Sequence, residues 1–167
     1  MVRIRRMWNK DTSRDAFVDF LLRAKRATYA GQGDEATVTP LVPGSRQLEY
    51  KNGHYRYRDI YLGMAYFVGQ EVVSHQRHAV WSMSYDGGVT PASRHRVDLR
   101  TIYAFLRLAL QHGHPAGPYR GPATFSRESL TYMNSSNGSL DAFWGHEEIV
   151  SDGARVYECR YAGGVLR

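Results

Sequence analysis

The chain has almost no cysteine, few lysines and no long apolar run, and each shortage removes a class of protein. Cys159 is the single cysteine, so no internal disulfide can form, and a reducing cytoplasm is the expected setting. No apolar stretch approaches the length of a bilayer span, so no membrane partner is expected. Residues 1–11 are a basic lead-in (Met1-Val-Arg-Ile-Arg-Arg-Met-Trp8) that lacks the apolar centre of a secretory signal. Phosphate loop, dinucleotide fingerprint and Gly-x-Ser-x-Gly elbow are all missing, so no cofactor is expected. His75-Gln-Arg-His78 and His112-Gly-His114 lack the spacing and partners of a metal site, and none is expected.

What is present is basic and aromatic. The net charge is +6, yet 19 of the 22 basic residues are arginines scattered along the chain. A nucleic-acid surface usually leaves a concentrated basic footprint, and the densest cluster here is only Arg94-His-Arg96 in an expected loop. Nucleic acid is therefore not the expected partner. Twelve tyrosines and three tryptophans are many for 167 residues, and such amphipathic rings suit the wall of a ligand cleft.

The chain also repeats itself. Phe67-Val-Gly-Gln-Glu71-Val-Val73 with Val80-Trp-Ser-Met-Ser-Tyr85-Asp-Gly-Gly-Val89 returns as Phe143-Trp-Gly-His-Glu147-Glu-Ile149 with Val156-Tyr-Glu-Cys-Arg-Tyr161-Ala-Gly-Gly-Val165. Upstream, Leu48-Glu-Tyr50 aligns with Leu130-Thr-Tyr132 and Asp59 with Asp141, at an offset differing by six residues, which implies a small insertion near Met64–Gly69. The expectation is an α+β fold over residues 12–167. Two copies, about 12–89 and 98–166, each contribute a helix and antiparallel strands to one pseudo-two-fold domain with both helices on one side of the sheet.

Local signals fill in the elements. Thr12 and Asp15 suit a capping box, and Phe17, Phe20, Leu21 and Ala24 follow at helical spacing to about Tyr29. Residues 30–45 read as a long loop. Strands are expected at Arg46–Lys51, His54–Tyr61, Met64–Val73 and Ala79–Tyr85, with a hairpin turn at Asn52-Gly53. A linker covers Asp86–Val97. Asp98 caps a second helix whose Ile102, Phe105, Leu106 and Ala109 copy the first, ending at His112-Gly113. Strands follow at about 123–133, 139–150 and 154–161, with a tight turn at Asp152-Gly153.

Period-two alternation puts Glu71 and Glu147 on otherwise apolar strand faces. A carboxylate there tends to have a raised pKa and suits acid/base work, with a backbone or arginine partner as the structural alternative. If one is catalytic, Glu147 is preferred. Trp81, Tyr85, Trp144, Tyr157 and Tyr161 are the expected cleft walls, with Asp59 and Tyr61 as further ligand contacts. Cys159 matches Met83 in a strand interior and is expected to pack.

The order Tyr29-Ala-Gly31, Leu48-Glu-Tyr50, Asp59-Ile-Tyr-Leu-Gly63, Phe67-Val-Gly-Gln-Glu71, Val80-Trp-Ser-Met83, Pro118-Tyr-Arg-Gly-Pro122 and Val156-Tyr-Glu-Cys159 with Gly163-Gly164 resembles a bacterial domain family of unknown function. That family is often found behind XRE-type helix-turn-helix regulators and resembles a sensor module. The resemblance spans roughly residues 17–166. Nothing before residue 12 has room for a helix-turn-helix, so a free-standing domain is expected. A fold-level analogy to GyrI-like domains implies a cleft for hydrophobic small molecules.

The function expected is binding of a small organic molecule, for sensing or sequestering, in an aromatic cleft between the repeats. The alternative is a hydrolase, isomerase or cyclase of secondary metabolism that uses a cleft glutamate as acid or base. The sequence leaves a homodimer open.

Overall fold

In the computed structural model, residues 13–32, 38–93 and 97–167 are described. The basic lead-in, Thr12 of the expected capping box and the Arg94–Arg96 cluster lie outside them.

Helix α1 spans Arg14–Ala27, with Ser13 as its N-cap. The Ala16 N–H donates to Ser13 Oγ at 3.1 Å, which satisfies one of the amides left unpaired at any helix start. Phe17, Val18, Phe20, Leu21, Leu22 and Ala24 are buried, as their spacing predicts. At Thr28 the hydroxyl donates back to Ala24 O at 2.8 Å and the helix breaks. The expected loop then begins with a further helical turn, α2 (Tyr29–Gln32).

Eight strands follow, interrupted by one long helix. They are β1 (Arg46–Asn52), β2 (Tyr55–Gly63), β3 (Tyr66–His75), β4 (His78–Val89), then α3 (Leu99–Gln111), β5 (Thr124–Arg127), β6 (Leu130–Ser139), β7 (Ala142–Ser151) and β8 (Ala154–Val165). All pair antiparallel in a single sheet of order β1-β2-β3-β4-β8-β7-β6-β5. The fold is thus α+β, with α1 and α3 contributing to one buried cluster with the inner face of the sheet. Asp98 caps α3 by accepting from the Arg100 N–H at 3.1 Å. The end of α3 is tied to α1, since Arg26 donates to the last carbonyl of the helix, Gln111 O, and to Gly113 O just beyond it.

The structure corrects three boundaries and one equivalence. The first hairpin loop is Gly53-His54, because Asn52 still pairs with Tyr55. The strand expected at 123–133 is broken at Glu128, whose φ of 55° turns the chain, so β5 and β6 form a hairpin of their own. Gly87-Gly88 is not linker but the end of β4, where it meets β8. A Cβ on Gly87 would lie 2.2 Å from Glu158 O, so the close approach of β4 to β8 requires glycine there. Asp59 and Asp141, aligned by sequence, are not in equivalent places: Asp59 is inside β2, whereas Asp141 lies between β6 and β7.

Candidate functional site

Alternation along β2, β3 and β4 sends Tyr57, Asp59 and Tyr61, then Phe67 and Glu71, then Met83 and Tyr85 to the inner face. Where α1 ends and α2 and α3 pass overhead, this face is not fully covered. A narrow cleft remains there. Its walls are apolar and aromatic: Tyr29, Tyr61, Met64, Phe67, Tyr103, Leu106 and Leu110 all line it. Its floor carries charge from Lys25, Asp59, Glu71 and Arg120.

Each floor group arrives by a local rule. Lys25 sits one helical turn after Leu21 on the buried side of α1 and forms an ion pair with Glu71. Glu71 also bonds the Tyr57 hydroxyl. Asp59 and Glu71 are direct cross-strand partners of β2 and β3, so their Cβ atoms stand about 5 Å apart. Tyr85 donates to Asp59 Oδ1 at 2.6 Å. Its ring lies over Gly69, where a Cβ would come within 2.3 Å of Tyr85 Cζ. Glycine at 69 is what lets the tyrosine lie flat across the strand and reach Asp59.

Arg120 enters from the segment between α3 and β5. Tyr119 stacks on Phe143 with centroids 3.7 Å apart. The Gly121 N–H donates to Tyr132 Oη at 3.0 Å, and Asn134 Nδ2 donates to Gly121 O. Held on both sides, Arg120 clamps Glu147 with two bonds, Nε to Oε2 at 3.0 Å and Nη2 to Oε1 at 2.5 Å. Its guanidinium carbon lies 5.6 Å from the centre of the Tyr85 ring, within cation–π range.

Glu147 is fully buried. Besides Arg120 it accepts from Tyr132 at 2.6 Å and Tyr157 at 2.9 Å. Burial alone would push its pKa up, but the Arg120 charge and these bonds win and hold it below the usual carboxylate value. Asp59 behaves oppositely. Burial, reinforced by the Glu71 charge, pushes it to about 7 against the lowering effect of Tyr85, Lys25 and Arg120. Lys25 is pulled below its ordinary value by burial, despite Glu71.

The two carboxyls therefore pull stability in different pH ranges. From about pH 4 to 7 folded Asp59 keeps a proton that the unfolded chain has released. Its contribution is full below that range and is lost as pH rises through 7. Glu147 contributes above the unfolded carboxylate range, and that contribution is lost as acid protonates the folded clamp. Asp59→Asn is expected to melt a few degrees above wild type at pH 8, about 1–2 kcal/mol, with the gap closing by pH 5. Thermal melts at the two pH values check this, and a gap independent of pH would contradict a raised Asp59.

Of the residues singled out by sequence, Asp59, Tyr61, Glu71 and Tyr85 meet at the cleft. Glu147 and Tyr157 lie outside its lining and are joined to it through Arg120. Tyr161 donates to Asn134 Oδ1 at 2.7 Å, away from the lining. Trp81 is buried between Phe17 and Phe143. Trp144 is 61% exposed and points from the opposite face, because its neighbours Phe143 and Gly145 point inward. Burial pushes the Cys159 thiol up to about 12, so it packs as a neutral side chain.

Lys25 and Arg120 were not anticipated. Both left a trace: Lys25 is a charge at an apolar helix position, and Arg120 is enclosed by Pro118-Tyr119 and Gly121-Pro122. Among the described residues no group of three or more His, Cys, Asp or Glu is gathered to hold a metal, and no helix is long and apolar enough to cross a membrane. No curated protein and no solved structure matches the chain. A family model described as a domain of unknown function (DUF5680) matches residues 59–166, from the cleft aspartate to the end of β8, and the chain belongs to that family.

Proposed function

We propose that the protein binds a small organic molecule in the cleft between α1, α2, α3 and strands β2–β4, as a sensing or sequestering module. The observation that carries this reading is an aromatic and apolar wall set over a buried, ionisable floor. Such an arrangement supplies affinity from the wall and orientation from a few convergent polar groups. Floor charges held by Glu71 and Glu147 do not collapse onto the ligand's place. Cys159, buried and unpaired, suits a cytoplasmic setting.

A duplication supports the same reading. Tyr57-Arg-Asp59 opposite Val73 and Glu71 corresponds to Tyr132-Met-Asn134 opposite Ile149 and Glu147. Tyr85 lies over Gly69 and bonds Asp59, as Tyr161 lies over Gly145 and bonds Asn134. We infer that one ancestral unit was copied. In the second copy Arg120 fills the place above the glutamate; in the first, the cleft stays open.

An enzymatic reading is favoured by one feature, the opposed Asp59 and Glu71 carboxyls. An acid titrating near neutrality beside a second carboxylate can give and take a proton in one site, as an isomerase, cyclase or hydrolase needs.

One experiment separates these readings. The purified protein is incubated with small-molecule extract of its source cells, and bound and free pools are compared by chromatography and mass spectrometry. Binding predicts a compound retained unchanged by wild type and lost in Leu110→Trp, which fills the cleft. Catalysis predicts a compound altered by wild type but not by Asp59→Asn. Retention unaffected by Leu110→Trp would remove the cleft from the account.

A further inference from the structure

The interior charges do not balance. Asp59, Glu71 and Glu147 are buried carboxyls, and the cations set among them are Lys25, on Glu71, and Arg120, on Glu147. Each cation has its own carboxylate, and among the described residues Asp59 forms no ion pair. Its bonded partner is the neutral hydroxyl of Tyr85. The remaining cation of the lining, Arg46 of β1, makes its contact to Met64 Sδ in exposed surroundings, where water screens it. An isolated buried carboxylate is costly unless something positive joins it.

Resting on the cleft reading above, we infer that the ligand is an organic cation, a small amine with an aromatic or aliphatic body, whose ammonium sits beside Asp59 and supplies the missing charge. The surroundings fit this chemistry. Tyr61 and Phe67 line the same space, and aromatic faces attract desolvated cations. A carboxylate ligand would instead add a further negative charge next to Asp59 and Glu71. Burial and the Glu71 charge favour a proton on Asp59, which titrates at about 7, in the position the cation would take. Amine binding therefore expels that proton, and the groups around Asp59 (Lys25, Tyr57, Glu71, Tyr85 and Arg120) need not change charge.

The test uses three probes that share one body: tyramine, the neutral alcohol tyrosol, and 4-hydroxyphenylacetate. Occupancy is read from the Met64 methyl resonance, which lies in the cleft lining. Tyramine is expected to bind about tenfold or more tightly than tyrosol, and 4-hydroxyphenylacetate more weakly still. With Asp59 titrating at about 7, tyramine affinity should rise about tenfold from pH 6 to pH 8, while tyrosol affinity stays flat. Asp59→Asn should abolish the rise, and the wild-type pH profile reads the same effect without any substitution. Tyrosol or 4-hydroxyphenylacetate binding as tightly as tyramine would overturn the cation and leave the cleft standing. Failure of all three to move Met64 would overturn the cleft and the cation together.

Discussion

Replacing Glu147 with alanine is expected to lower the unfolding free energy by about 3–5 kcal/mol. The size follows from what would be left behind. Arg120 would remain buried and charged with no carboxylate, because both of its bonds of that kind run to Glu147. The Tyr132 and Tyr157 hydroxyls would lose their acceptor in the same stroke, and each unsatisfied buried group carries its own penalty. Glu147→Gln keeps the shape and an acceptor oxygen, so its loss should be smaller. Removing both charges, with Arg120→Met and Glu147→Leu together, should cost much less than the two single losses added, since nothing is then buried unpaired. Urea unfolding of these variants, with Arg120→Met and Glu147→Leu also made singly, measures this directly. A Glu147→Ala loss below about 1 kcal/mol, the range of an exposed pair, would mean that the clamp does not hold the segment as its geometry implies.

Trp81→Ala should be nearly as damaging, at about 3–5 kcal/mol, for an unrelated reason. Trp81 is fully buried, its ring stacked on Phe143 at 5.8 Å and 18° and tilted against Phe17. Truncation would open a cavity where α1 rests on the middle of the sheet, and close-packed neighbours relax only partly into such space. The indole N–H has no hydrogen-bond partner among the described residues. Trp81→Phe therefore discards an unsatisfied donor along with some packing, and should lose less than half as much. Calorimetry gives both values. Because Trp81 is not part of the cleft lining, neither variant should change ligand affinity once folded. A ligand that binds wild type and is lost specifically in Trp81→Phe would restore this residue as a wall.

How far the sequence could be read depends on the range of each interaction. Helices α1 and α3 were legible because their apolar spacing and caps are written within a few residues, and turns such as Asp152-Gly153 because both positions take positive φ. Glu71 and Glu147 stood out as carboxylates on apolar faces, and both are buried. What could not be read is which partner each would meet. Lys25 reaches Glu71 across 46 positions and Arg120 reaches Glu147 across 27, and local patterning says nothing about such distances. The two glutamates look alike in sequence, yet a helix lysine pairs one at the cleft and a loop arginine seals the other behind it. Gly87-Gly88 misled for a similar reason. A glycine pair usually signals a turn, but here Gly87 lies too close to β8, and Gly88 too close to Ala65 and Tyr66, for any side chain.

The sheet order has a consequence for how the chain finds its fold. Every neighbouring pair but one is a hairpin between consecutive strands: β1 through β4 form one ribbon, β5 through β8 another. The exception is the seam, where residues 81–89 of β4 meet residues 157–165 of β8. Hairpins close within microseconds, whereas contacts between distant parts of a chain must first overcome the entropy of the intervening loop. Each ribbon can therefore form early, but neither can bury the inner face of its strands until the seam zips and the helices settle. The slow step of folding then belongs to the glycine-rich seam, and a newly made first half waits with β4 as an open edge, able to pair with another chain, until β8 has been synthesised.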